Sequence, residues 1–366
     1  MDSARIIATV VFVGSLILLG DAWLKKDQSL IAETTAVTSP KQTISTIPQA
    51  TINEISGGSE SQPSLSGAAI TADYIQVSTD VFSAKIDRVG AGIKELVLTQ
   101  HHSKDSKTEA LKLFEIEAGR TYIAEGGLIG KGLPNHNSLF ESGKSEYLLS
   151  AGSKQLSVIL ISDSETARVE KIYTFHRGSY AIDIEYRIEN KTDTVITPNA
   201  YFQLLRDGGG ADGDTKLQPT YTGGAVYSDE TKFTKVDFKD MDRSKVKYPK
   251  IAEDGWVGFV QHYFVAAWLP EPEKSRENFM RSLGNNLYAM GYVEGVTEIA
   301  RKSVGAVSTR LYAGPQEQKV LKSLAPGLNL VVDYGWLTII ASPLFWLLSA
   351  LHGLVGNWGW SIVFLT

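Results

Sequence analysis

A chain of 366 residues has length for about two domains and ample material for a large buried core. Its formal net charge of −5 gives no electrostatic footprint for nucleic acid. Six histidines and a complete absence of cysteine exclude disulfides, thiol catalysis and thiolate metal sites.

The first element runs from Ile6 to Leu24. Ile6 to Gly20 is a 15-residue stretch without charge, followed by Asp21, Trp23, Lys25 and Lys26. As a helix the element would rise about 28 Å, close to the roughly 30 Å of a hydrocarbon core. Trp23 suits the membrane interface and the lysines the headgroup zone. Arg5 and the apolar core also suit a cleaved signal peptide. No clear small-x-small site precedes Trp23, which favours an uncleaved signal anchor. Charge leaves the orientation open, because Arg5 and the amino terminus oppose Lys25 and Lys26.

From Asp27 to about Ile70 there is no aromatic residue, and Ser, Thr and Gln are dense around Pro40, Pro48, Pro63 and Gly57-Gly58. Such a stretch cannot bury enough apolar surface to offset chain entropy, so it reads as a flexible tether.

From about Ala72 to Leu330 the pattern is mostly β. Ile75-Gln76-Val77, Phe82 to Ile86, Leu156 to Leu160 and Val169 to Phe175 alternate at period two, as half-buried strands do. Arg177-Gly178-Ser179 supplies a turn, and Tyr180 to Ile188 runs back, giving the clearest hairpin. Turn signals recur about every 8–12 residues, the rhythm of a sandwich. Over this length the pattern implies a large two-sheet sandwich. Near its end, Pro315 to Leu324 reads as one short helix with proline at its start.

Tyr334 to Thr366 is 33 residues without a single Asp, Glu, Lys or Arg. One span needs about 20 apolar residues, so the stretch is too long for one and too short for two. Pro343, Gly353, Gly356 and Gly359 divide it. On a helix, Thr338, Ser342, Ser349 and His352 form one narrow polar stripe among Trp336, Ile340, Leu344, Leu347, Leu348 and Leu351. An interfacial helix and a kinked span with small polar residues facing other helices are both consistent with this. From Asn357 a separate span opens.

No nucleophile elbow, phosphate loop, zinc-protease helix or cysteine pair is present. The run Arg206 to Asp214 carries three aspartates among glycines. Its spacing does not match a calcium loop and no glutamate closes it, so it reads as a solvated loop. His101-His102 lies in a charged loop, and His136, His176 and His262 are isolated, as surface or satisfied core histidines are. Gly255 to Pro270 is rich in aromatics and reads as a core strand with a following bend in preference to a ligand groove. No catalytic, cofactor-binding or metal-binding residue is assigned. A large β-sandwich with scattered His and Glu also suits a sugar-processing domain, in which such a pair acts as acid and base.

The order of these segments resembles the YidC-type membrane protein insertases of Gram-negative bacteria. Met1-Asp2-Ser3 with Arg5, Gly255-Trp256-Val257, Gln261 to Phe264 and Trp268-Leu269-Pro270 carry the likeness. It continues through Leu311 to Pro315, Val332 to Leu337, Pro343-Leu344-Phe345 and Gly356 to Gly359, with Thr222 to Ser228 a looser match. The resemblance spans the whole chain, is weakest in the tether and in the strands from Tyr74 to Asn199, and is most specific from Leu311 to Ser361.

It implies a mainly β fold: a periplasmic β-super-sandwich of the mutarotase-like type with a short terminal helix, flanked by transmembrane and interfacial helices. The expected organisation is a signal-anchor helix over 1–26, a tether over 27–71, the periplasmic sandwich over 72–330, an amphipathic interfacial helix over 331–355, and the start of a second transmembrane helix, truncated, over 356–366. The implied activity is assisted insertion and folding of inner-membrane proteins, alone or beside the Sec translocon, without cofactor or covalent change. The implied partners are nascent inner-membrane proteins, Sec components and the lipid bilayer. The implied location is the bacterial inner membrane, multi-pass in the intact protein, with 27–330 in the periplasm. In the family a groove arginine lies in the second span just beyond the position of Thr366, so this chain is expected to lack it and the later spans. The competing expectation is a membrane-anchored periplasmic carbohydrate-binding or mutarotase-like β-sandwich; a tethered scaffold is a third.

Overall fold

The computed structural model describes residues 47–48, 73–103, 108–210, 221–332 and 338–366, with the backbone alone for 338–342. The expected signal anchor, most of the tether, Trp336 and the aspartates Asp212 and Asp214 lie outside the described residues.

Nineteen strands are described. The first seven are β1 (Tyr74–Ser78), β2 (Phe82–Asp87), β3 (Ile93–His102), β4 (Ala110–Glu117), β5 (Arg120–Ile129), β6 (Glu141–Ser142) and β7 (Glu146–Leu148). Next come β8 (Gln155–Asp163), β9 (Ala167–His176), β10 (Ala181–Asn190), β11 (Asn199–Asp207), β12 (Gly223–Tyr227) and β13 (Thr234–Val236). The last six are β14 (Ile251–Ala252), β15 (Trp256–Gln261), β16 (Phe264–Pro270), β17 (Arg276–Gly284), β18 (Leu287–Gly295) and β19 (Val304–Pro315). Four helices accompany them: α1 (Phe238–Asp242), α2 (Gln318–Leu324), α3 (Thr338–Val355) and α4 (Trp358–Leu365).

The strands form two sheets. A ten-stranded sheet runs β14-β17-β18-β11-β5-β4-β3-β2-β1-β7, and a nine-stranded sheet runs β13-β12-β15-β16-β19-β10-β9-β8-β6. Alternation produces this layering. β9 reads buried at every second residue, so Ala167, Val169, Lys171, Tyr173 and Phe175 share one face while Arg168, Glu170 and Thr174 take the other. The hairpin expected around Gly178 is present: β9 and β10 pair antiparallel with Phe175 opposite Ile182, and Gly178 turns at φ +67°.

The inner faces of the two sheets pack together. Phe82 of the larger sheet meets Phe175 of the smaller at 5.8 Å between ring centroids, Phe202 meets Trp268 at 5.4 Å, and Tyr122 meets Phe259 at 6.1 Å. Each such buried side chain contributes about 1.5–3 kcal/mol of transfer free energy, which makes this central layer the main source of stability. A second apolar layer covers the outer face of the smaller sheet, where Leu321 of α2 and Leu328 and Val331 of a 3-10 turn pack on Trp256, Val265, Ala267 and Tyr312. The Trp256 indole N–H donates to the Pro326 carbonyl at 3.1 Å and fastens that cover.

Two local expectations differ from what forms. Pro315 does not start a helix; it ends β19, opposite Phe264, and α2 starts at Gln318. Proline lacks an N–H, and the end of a strand tolerates this as readily as a first helical turn does. Gly255 to Pro270 is not one strand and a bend but the hairpin β15–β16, with Val257 opposite Trp268 and Tyr263 turning at φ +65°.

Candidate functional site: an apolar helix pair and a closed polar lattice

The uncharged carboxy-terminal segment folds as two helices. α3 ends where Gly356, at φ +68°, donates its N–H to the His352 carbonyl at 2.7 Å. The left-handed turn at that residue directs the chain out of the helix, and glycine takes this conformation without a Cβ penalty. One residue later Asn357 caps α4: its side-chain oxygen accepts from the N–H groups of Gly359 at 2.8 Å and Trp360 at 3.3 Å. His352 stacks on Trp358 at 3.9 Å, so the imidazole of α3 and the indole of α4 close the corner.

What the pair presents outward is apolar. Leu344, Phe345, Trp346 and Leu354 of α3 and Trp358, Trp360, Val363 and Phe364 of α4 are exposed, Trp346 at 71% and Leu354 at 85%. A contiguous apolar surface without any charge suits hydrocarbon and its tryptophans suit an interface. No described helix is long and apolar enough to cross a membrane. The polar stripe expected on α3 falls partly on side chains outside the described residues; Ser349 and His352 are half-buried.

Acid–base chemistry would be sought where a histidine and a carboxylate act on each other, as Glu125 of the larger sheet and His136 do. Glu125 of β5 accepts from Gln203 Nε2 of β11 at 2.8 Å and from Lys94 Nζ of β3 at 3.1 Å. His136 comes from the segment joining β5 to β6. Its backbone N–H donates to the Tyr201 hydroxyl at 3.1 Å, and that hydroxyl lies 2.5 Å from His136 Nδ1, which it can serve as donor. Segment 130–138 is a strap tied down by Leu128 N–H to the Pro134 carbonyl at 2.9 Å and Gly90 N–H to the Ser138 carbonyl at 2.7 Å. Two glycines let it lie so close. A Cβ at Gly127 would stand 2.7 Å from Asn135 Cα, and one at Gly90 would collide with the His136 carbonyl.

The electrostatics of this lattice are those of a closed structure. Burial pushes the Glu125 carboxyl up, but the charges of Lys94 and His136 and the bonds from Gln203 and Lys94 outweigh it, holding the group below its ordinary value. Burial, against the pull of Glu125, holds the His136 imidazole below its ordinary value. Lys171 of β9 is buried between the rings of Tyr173 and Tyr186, and desolvation brings it down to about 7. Its ammonium nitrogen donates to the Ala91 carbonyl at 2.8 Å. Glu125 and His136 are only 4% and 8% exposed, so this pair offers no open face to a sugar.

The remaining features singled out in the sequence make local contacts where described. Asp207 accepts from the backbone N–H of Thr121 at 2.9 Å and of Gly209 at 2.8 Å, and so holds its own loop. His176 pairs with Asp183 at 2.7 Å, and His101 approaches the Tyr180 hydroxyl at 3.1 Å. His262 packs edge-on against Tyr263 in the β15–β16 turn. Among the described residues no three His, Asp or Glu side chains converge as a metal site. Sequence reasoning missed the Lys94–Glu125–Gln203 lattice, for which only the unusual Glu125 inside an apolar strand was a signal. It also missed a cleft of roughly 620 Å³ rimmed by Asp229, Glu230, Glu253, Asp254, Pro272 and Glu273.

A two-sheet super-sandwich joined to an exposed apolar helix pair defines a membrane-associated β protein. A family model described as the YidC periplasmic domain matches residues 74–347. The chain is 40% identical to the membrane protein insertase YidC of Nitrosospira multiformis, over 100% of this chain and 67% of that protein. It is 41% identical to that of Methylobacillus flagellatus, over 100% and 66%, and 42% identical to that of Aromatoleum aromaticum, over 100% and 67%. The chain belongs to the YidC membrane protein insertase family. It spans about two thirds of the length of these relatives. Insertion, the activity for which the relatives are named, is not an enzymatic conversion. Among solved structures, a galactose mutarotase related enzyme from Lactobacillus acidophilus has 9% identity and a TM-score of 0.40, over 66% of this chain and 97% of that one. A galactose mutarotase-like protein from Lactobacillus casei has 9% identity and a TM-score of 0.39, over 66% and 99%.

Proposed function

We propose that the chain serves a bacterial inner-membrane insertase, which assists membrane proteins to insert and fold, alone or beside the Sec translocon. The observation that carries this reading is family membership over the whole chain together with the uncharged, outward-facing apolar surface of α3 and α4. In this reading residues 1–26 anchor the chain and 27–71 tether the sandwich. Residues 72–330 stand in the periplasm, 331–355 lie along the membrane surface, and 356–366 open a second membrane segment. Depleting the protein from its host is expected to leave small inner-membrane proteins uninserted, read as loss of their protease-protected fragments. Unchanged insertion overturns the reading.

The position of α3 has its own test, made simple by the absence of native cysteine. Leu354→Cys is expected to react with a water-soluble maleimide at least about tenfold more slowly in membrane vesicles than Ser150→Cys, which lies on an exposed turn of the sandwich. Equal labelling of the two positions would place α3 in water and sink the interfacial reading.

A further inference from the structure

Glu294 ends the inner row of β18, two residues beyond Tyr292, and is 1% exposed. Both of its carboxylate oxygens are buried without a hydrogen-bond partner among the described residues. Its cross-strand neighbour is Arg276, the first residue of β17 and likewise 1% exposed. The Arg276 guanidinium does not bond this carboxylate. It donates instead to three backbone carbonyls, Gly255 at 3.1 Å, Lys274 at 3.3 Å and Glu271 at 3.5 Å. Two of these belong to the loop 271–275 that joins β16 to β17, so the arginine holds that loop down. The same loop supplies Pro272 and Glu273 to the acidic cleft, and Glu273 takes a left-handed conformation at φ +64° while its N–H reaches the Glu253 carbonyl at 2.9 Å.

We propose that Glu294 and Arg276 form a proton-controlled latch on the cleft rim: protonated Glu294 leaves Arg276 on the loop carbonyls, and ionised Glu294 draws the guanidinium to itself and frees loop 271–275. A buried carboxylate without a partner is costly when charged, and the cation directly across the strand pair from it is the one that holds the loop. The charged groups around it are few. Arg276 comes from β17, Lys274 and Glu271 from the loop, and Asp254 from the turn before β15, with Tyr292 on β18 itself. Lys274 is already engaged by Glu271 at 2.6 Å. Tyr292 is turned away, its hydroxyl donating to Thr309 Oγ1 at 2.7 Å. Burial, only partly offset by Lys274 and Arg276, raises the Glu294 carboxyl to about 7, so the latch operates around neutral pH.

The test is hydrogen exchange of the loop amides in the full chain in detergent micelles, corrected for the intrinsic pH dependence of exchange. Between pH 6 and pH 8 the opening of 271–275 is expected to rise roughly tenfold, the factor for one pH unit above the midpoint. In Glu294→Gln, which stays neutral, opening is expected to be flat across that range and as low as in the parent at pH 6. A flat parent profile, or an unchanged pH dependence in Glu294→Gln, overturns the latch. A measurement that needs no variant is NMR titration of the Glu294 carboxyl and the Arg276 Nε–H. A common midpoint near neutrality is expected, and an ordinary carboxylate midpoint overturns the proposal.

Discussion

Lys171→Met is expected to stabilise the protein at pH 6 by about 3 kcal/mol, the gain typical when a buried charge gives way to an apolar side chain of similar length. Lys171 is 2% exposed, and burial brings its amine from 10.5 down to about 7 in the folded state. Below pH 7 both folded and unfolded chains carry the charge, and the folded chain bears the full cost of burying it. Between pH 7 and 10.5 the unfolded chain binds the proton more than the folded chain does. Stability therefore rises with pH across that window, by on the order of 4–5 kcal/mol at about 1.4 kcal/mol per unit. Methionine removes both the cost and the slope. The Ala91 carbonyl is not orphaned by the change, because the Tyr173 hydroxyl also donates to it, at 2.5 Å. Guanidinium unfolding followed by the β-sheet circular dichroism, for parent and variant at pH 6 and pH 9.5, gives the comparison. A variant less stable than the parent at pH 6 would mean that attraction between Lys171 and Glu125 outweighs desolvation, and the argument would fail.

The second large effect is expected at Gly127. Valine there would set its Cβ within 2.7 Å of Asn135 Cα and 2.8 Å of the Tyr201 hydroxyl, both parts of the strap closure. The strand beneath is central to the larger sheet, between β11 and β4, so the strap must give way. Lifting it breaks the His136–Tyr201 contact and the bond from Leu128 to Pro134, and it opens Glu125 to water. The combined cost is about 3 kcal/mol or more, at the upper end for overpacking. Limited proteolysis is the direct readout: new cleavage is expected within 130–138 in Gly127→Val, with the β9–β10 hairpin still protected. A variant as resistant as the parent within the strap would show that the close approach is not restrictive. Loss of protection throughout the chain would show that the strap does not yield separately from the sheets.

Legibility divides along the range of the interaction. The β9–β10 hairpin could be read directly, because alternation at period two and a Gly turn are properties of adjacent residues. The division of the last 33 residues at Gly356 and Asn357 was equally local, since a left-handed cap and an N-cap each act within a few residues. The β15–β16 hairpin leaves no local signal, because its two-residue turn, His262-Tyr263, contains neither glycine nor asparagine, and the pairing of both strands outweighs the strain at Tyr263. Pro315 is ambiguous for a related reason: a residue without an N–H fits a strand end and a helix start alike.

The lattice on the larger sheet was out of reach. Lys94, Glu125, His136, Tyr201 and Gln203 span more than a hundred positions, and only the side-by-side placing of β3, β5 and β11 with the strap brings them together. Arg276 and Glu294 are separated likewise, and become neighbours through the β17–β18 register.

By itself the sequence determined the mainly β character of the middle of the chain, the apolar runs near its ends and the likeness to a family of insertases. The first two rest on composition and short-range periodicity, and the likeness on an ordered set of short motifs from Met1-Asp2-Ser3 to Gly356-Asn357-Trp358-Gly359. Tertiary structure alone decided which polar groups are buried together, which loop is strapped to the sheet, and which carboxylate is left without a hydrogen-bond partner among the described residues. Those outcomes depend on strand order and register, which set distances between residues far apart in the chain and which no local pattern encodes.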